Sequence, residues 1–148
     1  MPHIRATVTD ADLPADVRRA LAEGLTSLAV SALGKSSART IVQLDLVPAD
    51  RYHVGGKPLT GAARDAHLEV SITAGTNSAA EKAAFITGAH AFLTELLGPL
   101  ARGGVALHEL HPESYGYQGV TQFDHYRQAG TADTAVSAAA PSARVRRG

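Results

Sequence analysis

The residue with the most pointed chemistry in this 148-residue chain is its second. Pro2 opens the stretch Met1-Pro2-His3-Ile4-Arg5-Ala6-Thr7-Val8-Thr9, which otherwise reads as a strand, and proline has no backbone N–H to give a ladder. The choice makes chemical sense if Met1 is removed, as a small second residue permits. Pro2 would then carry a secondary amine as its α-amino group. Burial disfavours the charged ammonium, so such an amine titrates near neutral pH when desolvated. Its neutral form is a general base and its protonated form the matching acid. The plain alternative is a proline without function at a frayed terminus.

Other chemistry has less footing. His3 and His67 occupy equivalent strand positions, His53 lies in one hairpin, and His108 and His111 lie near another. A metal site needs such side chains to converge, whereas the His108-Glu109-Leu110-His111 spacing puts its histidines on opposite strand faces. We therefore expect no metal and no cofactor. Val54-Gly55-Gly56-Lys57 lacks the spacing and following helix of a phosphate-binding loop. Gly-x-Ser-x-Gly is missing, so a serine hydrolase has no support. The chain has no cysteine, which removes disulfides, thiolate metal sites and a cysteine nucleophile together.

The elements that would position Pro2 follow from apolar spacing. Residues 2–9 read as a strand rich in β-branched types. Asp10-Ala11-Asp12-Leu13-Pro14 reads as a turn into a helix, with Asp12 the expected N-cap and Pro14 in the first turn. Val17, Leu21, Leu25, Leu28 and Leu33 recur at helical spacing and Gly34 follows as a stop. Thr40 to Val47 reads as a second strand, ended by Pro48-Ala49-Asp50. Arg51-Tyr52-His53-Val54-Gly55-Gly56 then suggests a tight hairpin. A helix crossing between two strands implies that they run parallel.

The spelling then repeats. A shift of 64 places Pro2-His3-Ile4-Arg5-Ala6-Thr7-Val8-Thr9 on Ala66-His67-Leu68-Glu69-Val70-Ser71-Ile72-Thr73, Leu33-Gly34 on Leu97-Gly98, and Leu46-Val47-Pro48 on Leu110-His111-Pro112. With one residue removed, Tyr52-His53-Val54-Gly55-Gly56 meets Tyr115-Gly116-Tyr117-Gln118-Gly119. An offset held across strand, helix end and hairpin marks an internal duplication. The second helix has its own start signal, the capping box Ser78-Ala79-Ala80-Glu81, with Phe85, Phe92, Leu93 and Leu96 as its apolar stripe. The expected organisation is one domain over 1–130, with repeat one at 2–57, a linker at 58–65 and repeat two at 66–120. Residues 131–148 lack an apolar period and read as a disordered tail with a basic end.

Composition bounds the partners. Hydrophobic residues make up 45% and charged residues 19%, with 14 basic and 14 acidic residues and a formal net charge of zero. That is a globular balance, with no field of one sign to attract nucleic acid or a membrane surface. No stretch approaches membrane-spanning length and nothing reads as a secretory leader, so the expected setting is the cytoplasm.

The initiating Met-Pro, the β-α-β unit of about sixty residues and the Tyr-x-Val-Gly-Gly hairpin at Tyr52-His53-Val54-Gly55-Gly56 together resemble the tautomerase superfamily, typified by 4-oxalocrotonate tautomerase. The duplicated length resembles its two-unit members, which include the cis-3-chloroacrylic acid dehalogenase group. The resemblance covers about residues 2–120. It implies an α+β fold of duplicated β-α-β units, a four-stranded sheet with two helices on one face, assembled as a homotrimer. It implies an isomerase in which Pro2 moves a proton between keto and enol forms of a small carbonyl substrate. Tyr52 stands where short tautomerases place an aromatic wall, Arg51 beside it would orient an anionic group, and Tyr115 or Tyr117 would complete the pocket from the same or an adjacent chain.

The departures bear on the substrate. Where 4-oxalocrotonate tautomerase has an arginine after the first strand, this chain has Asp10-Ala11-Asp12. Where the dehalogenases carry two arginines after the second repeat's first strand, it has Ala74-Gly75-Thr76-Asn77. Their histidine late in the first helix meets Ala29 or a neighbour, and the glutamate of their C-terminal hairpin meets Ser114 or Glu113. A hydratase, dehalogenase or decarboxylase on a small unsaturated or β-keto acid is thereby weakened. A non-catalytic trimeric binding protein on the same fold is the alternative of another class. Ala66 stands where the second repeat would need its proline, so each chain owns at most one proline base.

Overall fold

Alternation at His3–Val8 sends Ile4, Ala6 and Val8 to one side of a strand, and all three are fully buried. In the computed structural model, which describes residues 1–138, this strand is β1. It is followed by α1 (Ala15–Leu33) and β2 (Ile41–Leu46), and then by the short strands β3 (His53–Val54) and β4 (Lys57–Pro58). The second repeat supplies β5 (Ala66–Thr73), α2 (Ala79–Leu97) and β6 (Gly104–Leu110). The four long strands form one sheet in the order β2-β1-β5-β6. β1 and β2 run parallel, β5 and β6 run parallel, and β1 meets β5 antiparallel. Each β-α-β crossover accounts for one parallel pair, and the antiparallel seam joins the two repeats.

The shift of 64 maps α1 onto α2 end for end, each helix having 19 residues. Leu21, Leu25, Ala29 and Leu33 are the buried face of α1, and Phe85, Ala89, Leu93 and Leu97 that of α2. They close one core with Ile4, Ala6, Val8, Leu68, Val70 and Ile72 from the central strands. The helices pack against each other where both carry glycine. A Cβ on Gly24 would lie 2.1 Å from the tip of the Phe92 ring, and one on Gly88 would lie 3.2 Å from a Leu28 methyl. Gly24 and Gly88 are equivalent under the shift, as are Leu28 and Phe92, so each helix sends one large side chain over the other's glycine.

The helix ends differ from one another. Ser78 and Glu81 form the expected capping box, with Glu81 N–H donating to Ser78 Oγ at 3.1 Å and Ser78 N–H to Glu81 Oε2 at 2.9 Å. Asp12 is not the cap of α1. Pro14 holds that position without a side-chain bond, because the chain turns earlier, where Asp10 accepts from Asp12 N–H at 3.0 Å. Gly34 adopts φ 64° and closes α1 as expected.

The described residues from His111 onward form a separate compact unit from Met1–Leu110. Its hairpin, β7 (Gly116–Tyr117) and β8 (Val120–Thr121), leads into α3 (Gln122–Ala138). The Thr121 hydroxyl starts this helix by accepting from Asp124 N–H at 3.1 Å and donating to the Asp124 carboxylate at 3.0 Å. The helical run is described as far as Ala138, within the segment expected as a tail from Thr131. The rest of that segment, 139–148, lies outside the described residues. Among the described residues no helix is long and apolar enough to cross a membrane.

Candidate functional site

Pro2 is buried at the head of β1, where its carbonyl accepts from Ile41 N–H at 3.0 Å. Register decides what surrounds it. His3 pairs with Ile41 at the start of β2 and with Ser71 near the end of β5. The loop between α1 and β2 and the turn leaving β5 therefore meet at the amino-terminal end of the sheet. The first brings Lys35 and Arg39. The terminal ammonium, here that of Met1, is held below the ordinary α-amino value by burial first and then by the charges of Lys35 and Arg39. Lys35 is itself half-buried, and that burial lowers its own pKa against the opposing pull of Glu81. Removing Met1 would leave the Pro2 nitrogen as the chain's amine one residue further into this surrounding.

The equivalent end of the second repeat is closed. At the shift of 64, Met1 meets Asp65, Pro2 meets Ala66, Lys35 meets Pro99 and Arg39 meets Gly103. Asp65 is fully buried. Its Oδ1 accepts from the N–H groups of Gly103 at 2.8 Å and Arg102 at 3.0 Å, and its Oδ2 accepts from the Tyr52 hydroxyl at 2.8 Å. Burial alone would raise its pKa, but these donors, with the Ala66 N–H, outweigh that and hold the carboxyl below the usual aspartate value. Thr9 and Asp65 bind each other at 2.8–3.2 Å through side chain and backbone. Arg64 adds an ion pair to Asp10 and a bond to the Leu97 carbonyl, both at 3.0 Å. This network ties β1's end, the linker and the loop before β6 into one knot.

Tyr52 belongs to that knot. Burial, then the bond to Asp65, pushes its phenol up to about 12, so it is a neutral donor at ordinary pH. Within one protomer it stands at the opposite end of β1 from Pro2, roughly 20 Å away at about 3.3 Å per strand residue. Arg51 is its exposed neighbour in the same turn. The protomer therefore does not bring Pro2 together with Arg51 and Tyr52. Tyr115 and Tyr117 lie in the C-terminal unit. There the Tyr117 ring stacks on His125 at 4.0 Å, and Tyr115 lines a cleft of about 350 Å³ with Glu113, Ser114 and Thr121.

Sequence reasoning missed Lys35 and Arg39. Neither belongs to a motif, and their meaning appears only when register brings the loop after α1 to the head of β1. A signal was nonetheless present, because the duplication writes the uncharged Pro99 and Gly103 opposite these two cations while matching most of the apolar frame.

A two-unit β-α-β sheet, with Pro2 at the head of its first strand and the Met1 amine in the field of Lys35 and Arg39, is the arrangement that the known proteins can be set against. The family described as Tautomerase enzyme matches residues 2–62. Probable tautomerase K2 of Dickeya dadantii (strain 3937) is 35% identical over 60 residues, which are 40% of this chain and 90% of that protein. The chain belongs to the tautomerase family. Two solved structures show how far the fold extends. A wild-type fused 4-OT, described as an asymmetric trimer, is 21% identical with a TM-score of 0.74, over 83% of this chain and 98% of that one. A protein crystallised after inactivation by 2-oxo-3-pentynoate is 20% identical with a TM-score of 0.75, over 83% and 98%. The shared fold thus includes both repeats, beyond the single unit that the curated relative matches.

Proposed function

We propose that the protein is a tautomerase that moves a proton between keto and enol forms of a small carbonyl compound bearing an anionic group. Pro2, exposed by loss of Met1, is its general base and acid. The observation that carries this reading is the amino-terminal surrounding, where burial, Lys35 and Arg39 all disfavour an ammonium and so favour a neutral amine at pH 7. The amine takes the proton α to the carbonyl, negative charge develops on oxygen, and the ammonium returns the proton at carbon or oxygen elsewhere. Lys35 and Arg39 stabilise that developing charge and attract the anionic group.

In this reading the working protein is a homotrimer, which the description of the similar fused 4-OT as an asymmetric trimer supports. Arg51, Tyr52 and the tyrosines Tyr115 and Tyr117 would then approach Pro2 from a neighbouring protomer. Intact mass checks removal of Met1, and its retention would end the proposal because the proline nitrogen would be locked in an amide. With Met1 absent, Pro2→Ala should slow phenylpyruvate tautomerisation by on the order of 10²-fold, the contribution typical of a positioned base. Equal rates would favour a binding protein on this fold. The electrophile 2-oxo-3-pentynoate should add once per chain, at Pro2, since the second repeat's equivalent position is the internal Ala66.

A further inference from the structure

We propose that Thr76, in the turn leaving the second repeat's first strand, is a positioning residue for Lys35 at the amino-terminal site. The second repeat then holds the cation with which the first repeat works. The proposal rests on the reading of Pro2 as the acid–base group and adds a support that nothing in the family assignment supplies.

Three segments meet at this end of the sheet. β1 begins there, β2 begins there beside Pro2, and β5, running antiparallel to β1, ends there at Thr73. Lys35 Nζ crosses between repeats to donate to Thr76 Oγ1 at 3.0 Å. The same hydroxyl donates to the Thr73 carbonyl at 2.7 Å. Its hydrogen has the Thr73 carbonyl as the nearer acceptor and Asn77 Oδ1 at 3.4 Å as the farther one, and with either the oxygen lone pairs remain for the lysine.

The turn itself is anchored on both sides. Asn77 Nδ2 donates to the Leu33 carbonyl at the end of α1 at 2.9 Å, and to Glu81 Oε2 at 3.0 Å. Glu81 is fixed in turn by its capping box with Ser78. A lysine has a long flexible stem and three rotatable donors, so an unanchored ammonium would spread over solvent. The Thr76 bond selects the arrangement that keeps the charge beside the chain's amine. The charged groups facing this point are the amino terminus, Lys35, Arg39 and Glu81. Glu81 is held ionised chiefly by the Ser78 N–H, then by Asn77.

The test uses the full chain with Met1 removed and ¹⁵N-labelled proline, so that NMR reads the titration of the Pro2 amine directly. Lys35→Met should raise that pKa, because a nearby positive charge is lost. Thr76→Val should raise it in the same direction, Thr76→Ser should restore the original value, and Thr76→Val should add nothing in a Lys35→Met background. With phenylpyruvate, Thr76→Val should raise KM by about two- to fivefold, the loss of one solvent-exposed charge contact. The acid limb of the kcat/KM profile should move with the amine.

An unchanged amine titration in Thr76→Val alongside a raised one in Lys35→Met would overturn the positioning role. Unchanged titration in both would remove Lys35 from the site. If the amine responds as expected while catalysis is indifferent to Pro2→Ala, the proton-transfer reading fails and the positioning of Lys35 stands.

Discussion

Gly24 and Gly88 occupy equivalent places in the two repeats, yet alanine should act on them with opposite sign. Gly24→Ala gains about 1 kcal/mol of helix propensity, but its Cβ would sit 2.1 Å from the Phe92 ring tip, with two more ring atoms at 2.4 and 2.8 Å. Carbon atoms rest about 3.5–4.0 Å apart, so the ring must retreat by roughly 1.5 Å. Overpacking of that kind costs about 1–3 kcal/mol, which leaves a net destabilisation of about 1 kcal/mol. Gly88→Ala meets one Leu28 methyl at 3.2 Å. A shift of a few tenths of an ångström accommodates it, and most of the propensity gain of about 1 kcal/mol survives. The two variants should therefore differ by about 1–2 kcal/mol in equilibrium urea unfolding, compared at one protomer concentration. In a Phe92→Leu background the clash is removed and Gly24→Ala should become stabilising. Equal stabilisation by both alanines in the parent chain would refute the reciprocal packing of ring on glycine.

The knot around Asp65 makes stability depend on pH in two directions. Its carboxyl is depressed in the folded state, so its contribution is present above the unfolded aspartate value of about 3.9 and is lost as pH falls through the folded one. Asp65→Asn should cost about 2–3 kcal/mol at neutral pH and flatten that acid limb in urea titrations; an unchanged limb would argue against it. Tyr52 is raised from the ordinary 10 to about 12, so its share is present below about 10 and lost as pH climbs through 12. Tyr52→Phe should cost about 1–2 kcal/mol and abolish the alkaline loss measured by near-ultraviolet circular dichroism. Gln118 holds φ 54° beside Gly119 at 78°, a strained place for its side chain. Gln118→Asn should therefore slow hydrogen exchange in this hairpin, with a gain of up to about 1 kcal/mol, and faster exchange would contradict the turn assignment.

Much of the fold is legible because the chain is written twice. One helix can be misplaced by a residue or two, but an offset shared by Leu33-Gly34 and Leu97-Gly98 pins both ends at once, and α1 and α2 agree to the residue. Asp12 misleads because its type suits a cap, while the turn that Asp10 makes around Asp12 N–H moves the helix start to Pro14. α3 follows a signal of the same kind as the Ser78 box, Thr121-Gln122-Phe123-Asp124, but its stripe is too polar for apolar spacing to reveal. The candidate site is harder to read. Pro2 declares itself by its chemistry, whereas Lys35, Arg39 and Thr76 acquire theirs only from register.

Duplication would give two equivalent active ends if the chain could begin twice. It begins once, so the second repeat carries a peptide bond at Ala66, where the proposed function needs a free amine at Pro2. An internal position there has no free amine, and the backbone N–H groups of the loop before β6 need an acceptor. Asp65, which the shift of 64 sets opposite Met1, takes up the N–H groups of Arg102 and Gly103. The equivalents of Lys35 and Arg39 are then not needed, and Pro99 and Gly103 stand in their places. At the other end the second repeat keeps its strand–helix turn and lends it, through Thr76, to Lys35. The asymmetry between the repeats thus follows from chain connectivity, and in the proposed function one copy does the chemistry while the other holds it in place.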